Sequence, residues 1–309
     1  MGRFIAHRFL SVIPTMFVII TLSFFMMHAA PGGPFSREKE LPPGVMENLL
    51  KKYHLDESVP QQYLRFLGNV MHGDLGPSFK NKDFTVNQLI AIGLPNSILL
   101  GTIALSLAFF CGVGAGIISA LRQNSALDYG VMSVAVMGIS VPLFVAGPIL
   151  MLIFAVWLKL LPIQGWITGR SGPAALVLPA ITLSLPYFAY ITRLSRASIL
   201  ETLRSDYIRT ARAKGCSMPV IMFKHVLKGA LLPVVSYLGP AFAGIITGSV
   251  IVESIFAIPG LGSAFVRSAL NRDYTLIMGT VIVYSLILII MNFVVDIIYG
   301  LLDPRISYK

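Results

Sequence analysis

The sequence predicts an all-α membrane protein with six transmembrane helices and both termini in the cytoplasm. Three observations lead there. Of 309 residues, 55% are hydrophobic and only 12% charged, with a mean hydropathy of +0.78, outside the range of ordinary soluble domains. Six runs with almost no charge are long enough for a hydrocarbon core, which takes about 20 helical residues. Lysine and arginine are shared unequally between alternate connections, the usual mark of a fixed orientation.

The runs cover 9–27, 97–121, 130–158, 174–192, 230–252 and 275–299, and the only formally charged residue in them is Asp296, near the end of the last. Arg3, His7 and Arg8 precede the first run and "HAAPGGP" follows it, as in a signal peptide. Its apolar core exceeds the usual ~7–15 residues of a cleaved signal, so it reads as a retained helix. Pro14, Pro142, Pro148, Pro179, Pro186, Pro233 and Pro240 fall inside runs; membrane helices tolerate such kinks where neighbours satisfy the freed backbone.

With the N-terminus inside, the inner segments hold thirteen basic residues: Arg3, Arg8, Arg122, eight between Arg193 and Lys228, Arg305 and Lys309. The short outer loops hold four, Lys159, Arg170, Arg267 and Arg272. The net charge of +10 is therefore a topology signal. No nucleic-acid reading motif accompanies it, so nucleic acid is not expected as a partner, whereas membrane lipid is.

Three regions follow: 1–28, an N-terminal tail and first span; 29–96, an extracytoplasmic segment; and 97–309, a five-helix core with an inner loop at 193–229. The outer segment opens on "APGGP" and offers two amphipathic helices. Val45, Leu49, Leu50 and Tyr53 line one; Val59, Tyr63, Phe66, Leu67 and Val70 line the other, at helical spacing. Such helices lie on the membrane, pack over span ends, or receive an external partner.

From the inner loop into the start of the next span runs "YIRTARAKGCSMPVIMFKHVLKGALLP" (207–233), which is too patterned for a basic tail. Asp206 is placed to cap a helix over "YIRTARAK", with Ala211 and Ala213 favouring it. Gly215 ends that helix, and Ser217 with Pro219 opens a second. In the second, Val220, Phe223 and Leu227 share one face, with Lys224 and Lys228 on another. The elbow serves as a topology anchor, as an internal gate lid, or as a short helix seated on a cytoplasmic protein whose movement levers the spans. Small residues permit close approach and arginines orient it, which favours the last.

These residues resemble the cytoplasmic loop of bacterial ABC importer permeases, written EAA-x3-G-x9-I-x-L-P. Gly215 takes the glycine position, Arg209, Thr210 and Ala211 the EAA positions, and His225 to Lys228 the I-x-L-P positions. Arginine replaces the acid and lysine the proline, so the contact usually made by the acid differs here or comes from Arg212, Lys214 or the nearby Asp206. "RTARAKG", "IPTMFVIITLSFFMMHAAPGGP", "HGDLGPSF", "VESIFAIPGLGSAFVRSALNRDY" and "DPRI" resemble the peptide-importer branch, and "GPSFKNKDFTVNQLI" its oligopeptide B-type permeases. The resemblance covers nearly the whole chain. It implies a type I ABC importer permease fold, a second permease alongside, two ATPase subunits below, and an external peptide-binding protein. Asp206, Arg209, Thr210, Ala211, Arg212, Ala213, Lys214 and Gly215 are then the ATPase-coupling residues.

No GK[ST] triplet occurs, so no P-loop is present. The chain is expected to bind no cofactor of its own and not to be an enzyme, with ATP and magnesium held by the ATPase partners. The five histidines show no HExxH spacing, and no GxSxG elbow occurs. Cys111 and Cys216 suggest neither disulfide nor metal site. Glu253 at the outer end of span five, and Pro259 and Gly260 within "AIPGLG", are candidates for the path or its mouth; a plain interfacial charge and a connecting turn are the simpler alternatives. Gly112/Gly116 and Gly244/Gly248 permit close helix approach, within this chain or against a second permease. Two alternatives stay open: a gradient-driven carrier or channel, and an ABC importer for dipeptides, nickel or glutathione.

Overall fold

The computed structural model describes residues 2–30, 32–35, 43–81, 83–167, 169 and 172–302. Arg170 and the closing "DPRI" with Lys309 lie outside the described residues, as does the side chain of Asp296. Among the described residues there is no strand, only an isolated antiparallel bridge between Pro77 and Thr85.

Helix α1 (Gly2–Ala29) is the first span. Helices α2 (Pro43–Lys52) and α3 (Val59–Met71) are the two amphipathic elements of segment 29–96. Helix α4 (Val86–Leu121) begins well before the expected 97. Asn87, Gln88, Pro95 and Asn96 keep its first turns out of any hydropathy window, yet its start carries a local signal. The Thr85 N–H donates to Gln88 Oε1 at 2.9 Å, and the Gln88 N–H donates to Thr85 Oγ1 at 3.3 Å. That reciprocal pair is a capping box.

The third span departs from expectation. Instead of one helix over 130–158 there are α5 (Ala126–Ser140) and α6 (Leu143–Leu150), the latter running into a π-turn at Met151–Trp157. The two halves bend by 111°. Val141 precedes Pro142 and is extended (φ −88°, ψ 118°), because the proline ring disfavours helical backbone in the residue before it.

A 3-10 turn, Gly172–Leu176, leads into α7 (Val177–Leu203), which continues past the apolar run through Arg193 and Arg196. Helix α8 (Asp206–Ala213) follows. Then α9 (Met218–Val220), a π-turn at Ile221–Val226 and α10 (Leu227–Ala230) run into α11 (Leu232–Ile255) with a 49° bend. Helix α12 (Leu261–Asn271) occupies what read as a connection, and α13 (Tyr274–Leu302) is the last span. Among the described residues, four helices are long and apolar enough to cross a membrane, and up to six spans result if each bent pair counts as one.

The chain divides into two compact units, 1–96 with 259–289, and 97–258 with 290–309. In the first, Ile20 and Phe24 of α1 and Met278 and Ile282 of α13 form a core. Tyr63, Phe66, Leu67 and Val70 of α3 pack on it, so the face read from spacing covers the spans. Leu49 of α2 and Tyr53 just past its end join a second cluster with Phe35, Phe79 and Tyr274. Asp273, only 1% exposed, ties the unit together. It accepts hydrogen bonds from Ser78 Oγ at 2.5 Å, the Phe79 N–H at 3.1 Å, Thr275 Oγ1 at 3.1 Å and the Leu276 N–H at 3.3 Å. Two distant motifs, "GDLGPSF" and "NRDY", thus meet on one carboxylate. Burial, and then the charge of Asp273, push the Tyr53 hydroxyl above its ordinary pKa.

In the second unit α7 is the spine. A Cβ at Gly112 would lie 2.9 Å from Ile191 Cγ2, and one at Gly116 would lie 2.6 Å from Ser195 Cβ and 3.0 Å from the Thr192 carbonyl. This glycine pair therefore serves packing inside the chain: it brings α4 to backbone contact with α7. Helix α5 approaches as closely, with a Cβ at Gly138 falling 2.9 Å from the Leu185 carbonyl.

Candidate functional site

The elbow of loop 193–229 forms around α8. Its N-cap is Ser205, in extended conformation (φ −70°, ψ 152°), and not Asp206, which is the first helical residue. Asp206 still suits the helix start, where a negative side chain meets the positive end of the dipole, and its carboxylate lies 3.6 Å from Arg209. Both side chains are exposed, so this pair adds little stability.

One side of α8 is anchored. Ile208 and Ala211 are buried in a cluster with Ala120 of α4, Ile199 of α7, and Ile221, Met222, Val226 and Ala230 of the segment that follows. The other side stands free of the fold: Arg209, Thr210, Arg212, Ala213 and Lys214 are all exposed. The result is a short cationic ridge on a rigid apolar seat.

The ridge stops sharply. Gly215 has φ +77°. Its N–H donates to the Arg212 carbonyl at 2.9 Å, and the Cys216 N–H donates to the Ala211 carbonyl at 3.2 Å. These two bonds make a Schellman motif, which requires a left-handed residue just past the helix. Nothing lies within 4 Å of a Cβ placed on Gly215, so the demand for glycine here is conformational and not one of space.

Ser217 is the next N-cap, with proline in the first turn. Of the three apolar residues read on one face beyond it, Leu227 packs against the cluster around Ile208 and Ala211. Val220 and Phe223 are 44% and 73% exposed, while Ile221, Met222, Val226 and Ala230 carry the buried contacts. A π-turn occupies Ile221–Val226. Lys224 and Lys228 are exposed, as expected.

A group missed by sequence reading lies close to the seat. Asp128, in the first turn of α5, is 2% exposed. It accepts a forked pair from Arg196 of α7, Nε to Oδ1 at 2.8 Å and Nη2 to Oδ2 at 2.7 Å. Ser119 Oγ of α4 also donates to it, as does the Asn124 N–H at 2.9 Å. The local clue was Ser125 three residues before Asp128, a helix-start pattern; Ser125 is indeed the N-cap. Nothing local announced Arg196 as its partner.

The three path candidates fall in different units. Glu253, in the second, is fully buried. Ser97 Oγ of α4 and Ser249 Oγ of α11 each donate to its Oε1 at 2.6 Å, so it is not an interfacial charge in water. Pro259 and Gly260 are in the first unit. The Pro259 carbonyl accepts from Asn96 Nδ2 at 2.7 Å, and Gly260 is the N-cap of α12. Both line a cavity of about 310 Å³ together with Lys80, Asn81, Arg267 and Asn271. Among the described residues no group of three or more His, Cys, Asp or Glu could hold a metal ion.

Two family models match the chain: the N-terminal part of a binding-protein-dependent transport system membrane component over residues 1–100, and the binding-protein-dependent transport system inner membrane component over residues 112–308. The second includes α8. The "Oligopeptide transport system permease protein OppB" of Salmonella typhimurium is 50% identical over 308 residues, covering 100% of both chains. That of Haemophilus influenzae is 49% identical over the same extent. The "Dipeptide transport system permease protein DppB" of Bacillus subtilis is 46% identical, covering 99% of this chain and 98% of that one. Among solved structures, a chain of the MetNI methionine ABC transporter superposes with a TM-score of 0.56 at 18% identity, covering 70% of this chain and 97% of that one. That likeness speaks for the fold alone. With an all-helical fold shared with ABC importer permeases and full-length relatives of this kind, the chain belongs to the binding-protein-dependent transport system inner membrane components, as a multi-pass permease of the bacterial inner membrane.

Proposed function

We propose that this chain forms half of an ATP-driven path that brings oligopeptides into the cell, paired with a second permease. Two ATPase subunits dock beneath it, ATP and magnesium are bound by those subunits, and an external peptide-binding protein delivers the cargo. The observation that carries this reading is the cationic ridge of α8 on its buried seat. A helix that exposes Arg209, Arg212 and Lys214 while Ile208 and Ala211 lock it to α4 and α7 is built to receive force from a neighbouring protein. The absence of a GK[ST] triplet fits an engine held by partners. The full-length likeness to proteins named for oligopeptide and dipeptide transport supports peptide cargo.

In this reading, closure of the ATPases brings the inner ridges together and turns the path outward. Moving a two-state path from 1:99 to 99:1 takes about 5.5 kcal/mol of differential binding, and α8 is where it enters. Pro259 and Gly260, in the wall of a cavity that also holds Lys80 and Arg267, belong to the outer mouth. Glu253 joins the path only when Ser97 and Ser249 release it. The chain performs no chemical step itself.

The test is an Arg212→Glu variant of the complex assembled with its ATPases. It should reach the membrane at the normal level, lose co-purifying ATPase, and take up labelled oligopeptide at no more than about a tenth of the normal rate, since charge reversal at an interface costs several kcal/mol. Normal ATPase retention and normal uptake would remove α8 from the mechanism.

A further inference from the structure

The buried Asp128–Arg196 pair has no part in the reading above, although it sits beside the seat of α8. We propose that it is a positioning element that locks α4, α5 and α7 into one lever, so that force on α8 moves the spans. The inference rests on the importer reading.

The geometry is that of a three-way joint. One carboxylate, supplied by α5, is held by Ser119 of α4 and by the forked guanidinium of Arg196 on α7. Ser119 adjoins Ala120, and Arg196 stands one turn before Ile199; Ala120 and Ile199 are the residues on which Ile208 and Ala211 of α8 rest. A push on α8 therefore reaches the ends of α4 and α7 within a turn of the joint.

Apart from this joint, the helices meet by close van der Waals packing. Glycine at 112, 116 and 138 brings α4 and α5 to backbone contact with α7, and in lipid no hydrophobic force opposes sliding of such surfaces. A forked arginine–carboxylate pair is directional: two parallel bonds fix both angle and register. Burying an ion pair is a poor way to gain stability, because desolvation consumes much of the attraction, and fixing orientation is its better-attested use. Asp128, almost wholly buried and bonded to all three helices, fits that use.

The experiment uses the full complex with second permease, ATPases and binding protein in liposomes, and it reads peptide transported per ATP hydrolysed. The Asp128→Leu/Arg196→Met double variant keeps volume without leaving a lone buried charge. It should insert, melt as the unaltered protein does, retain its ATPases and hydrolyse ATP, while transported peptide per ATP falls about tenfold. Arg196→Lys, which keeps the charge but not the fork, should fall between. An unchanged ratio in the double variant would overturn the proposal. So would failure of that variant to insert or assemble, which would assign the pair to folding. Absence of ATP-driven uptake by the unaltered complex would sink the importer reading and the role of this pair with it.

Discussion

Gly215 stands at φ +77° with open space where a side chain would go, so its replacements separate conformation from bulk. Asparagine tolerates left-handed backbone; valine, branched at Cβ, does not. The penalty of about 1–2 kcal/mol is a factor of roughly 5–30 in the population of the formed cap. Gly215→Asn should therefore support near-normal peptide uptake, whereas Gly215→Val should reduce it within that range at equal membrane level. Equal loss in both would mean that bulk at this position matters, against the geometry. This glycine was legible in the sequence because a helix stop is local chemistry. Asp128, Asp273 and Glu253 were not legible as a joint, a clamp and a serine-held carboxylate. Their partners Arg196, Ser78 and Ser97 are 68, 195 and 156 residues away in sequence, and no spacing rule reaches that far.

At the scale of elements, the apolar runs marked where spans lie, and the amphipathic spacing of Tyr63, Phe66, Leu67 and Val70 gave the packed face of α3. The misreadings all concern how helices are interrupted. Composition does not reveal that Pro142 turns the third span by 111°, since proline inside a membrane helix more often only kinks it. Nor does it reveal the π-turn at Ile221–Val226. The early start of α4 was legible in retrospect as Thr-x-x-Gln, a cap signal outweighed by hydropathy. The same reasoning gives a prediction for α8, whose seat depends on Ile208. Ile208→Ala should cost about 2–5 kcal/mol of local packing. The amides of 206–214 should then exchange with solvent markedly faster, read by hydrogen–deuterium exchange in detergent. Thr210→Ala, on the exposed side, should leave exchange unchanged. Equal protection in both variants would mean that the buried cluster does not hold the ridge.

At the scale of the molecule, the chain joins two kinds of construction. The unit containing α8 is built by close glycine packing around α7, with the Asp128–Arg196 pair near the seat of α8. The unit containing α2 and α3 is built by aromatic packing, and the Asp273 clamp draws its strap to the start of α13. Neither unit carries a GK[ST] triplet, which fits the proposal that mechanical work comes from partner subunits. That claim is tested most directly by measuring labelled peptide accumulation in liposomes, with the purified chain alone and with the complete complex supplied with ATP. The account predicts accumulation above the external concentration only in the complete complex, with the Arg212→Glu version at background. Accumulation against the concentration gradient by the chain alone, without nucleotide, would contradict it.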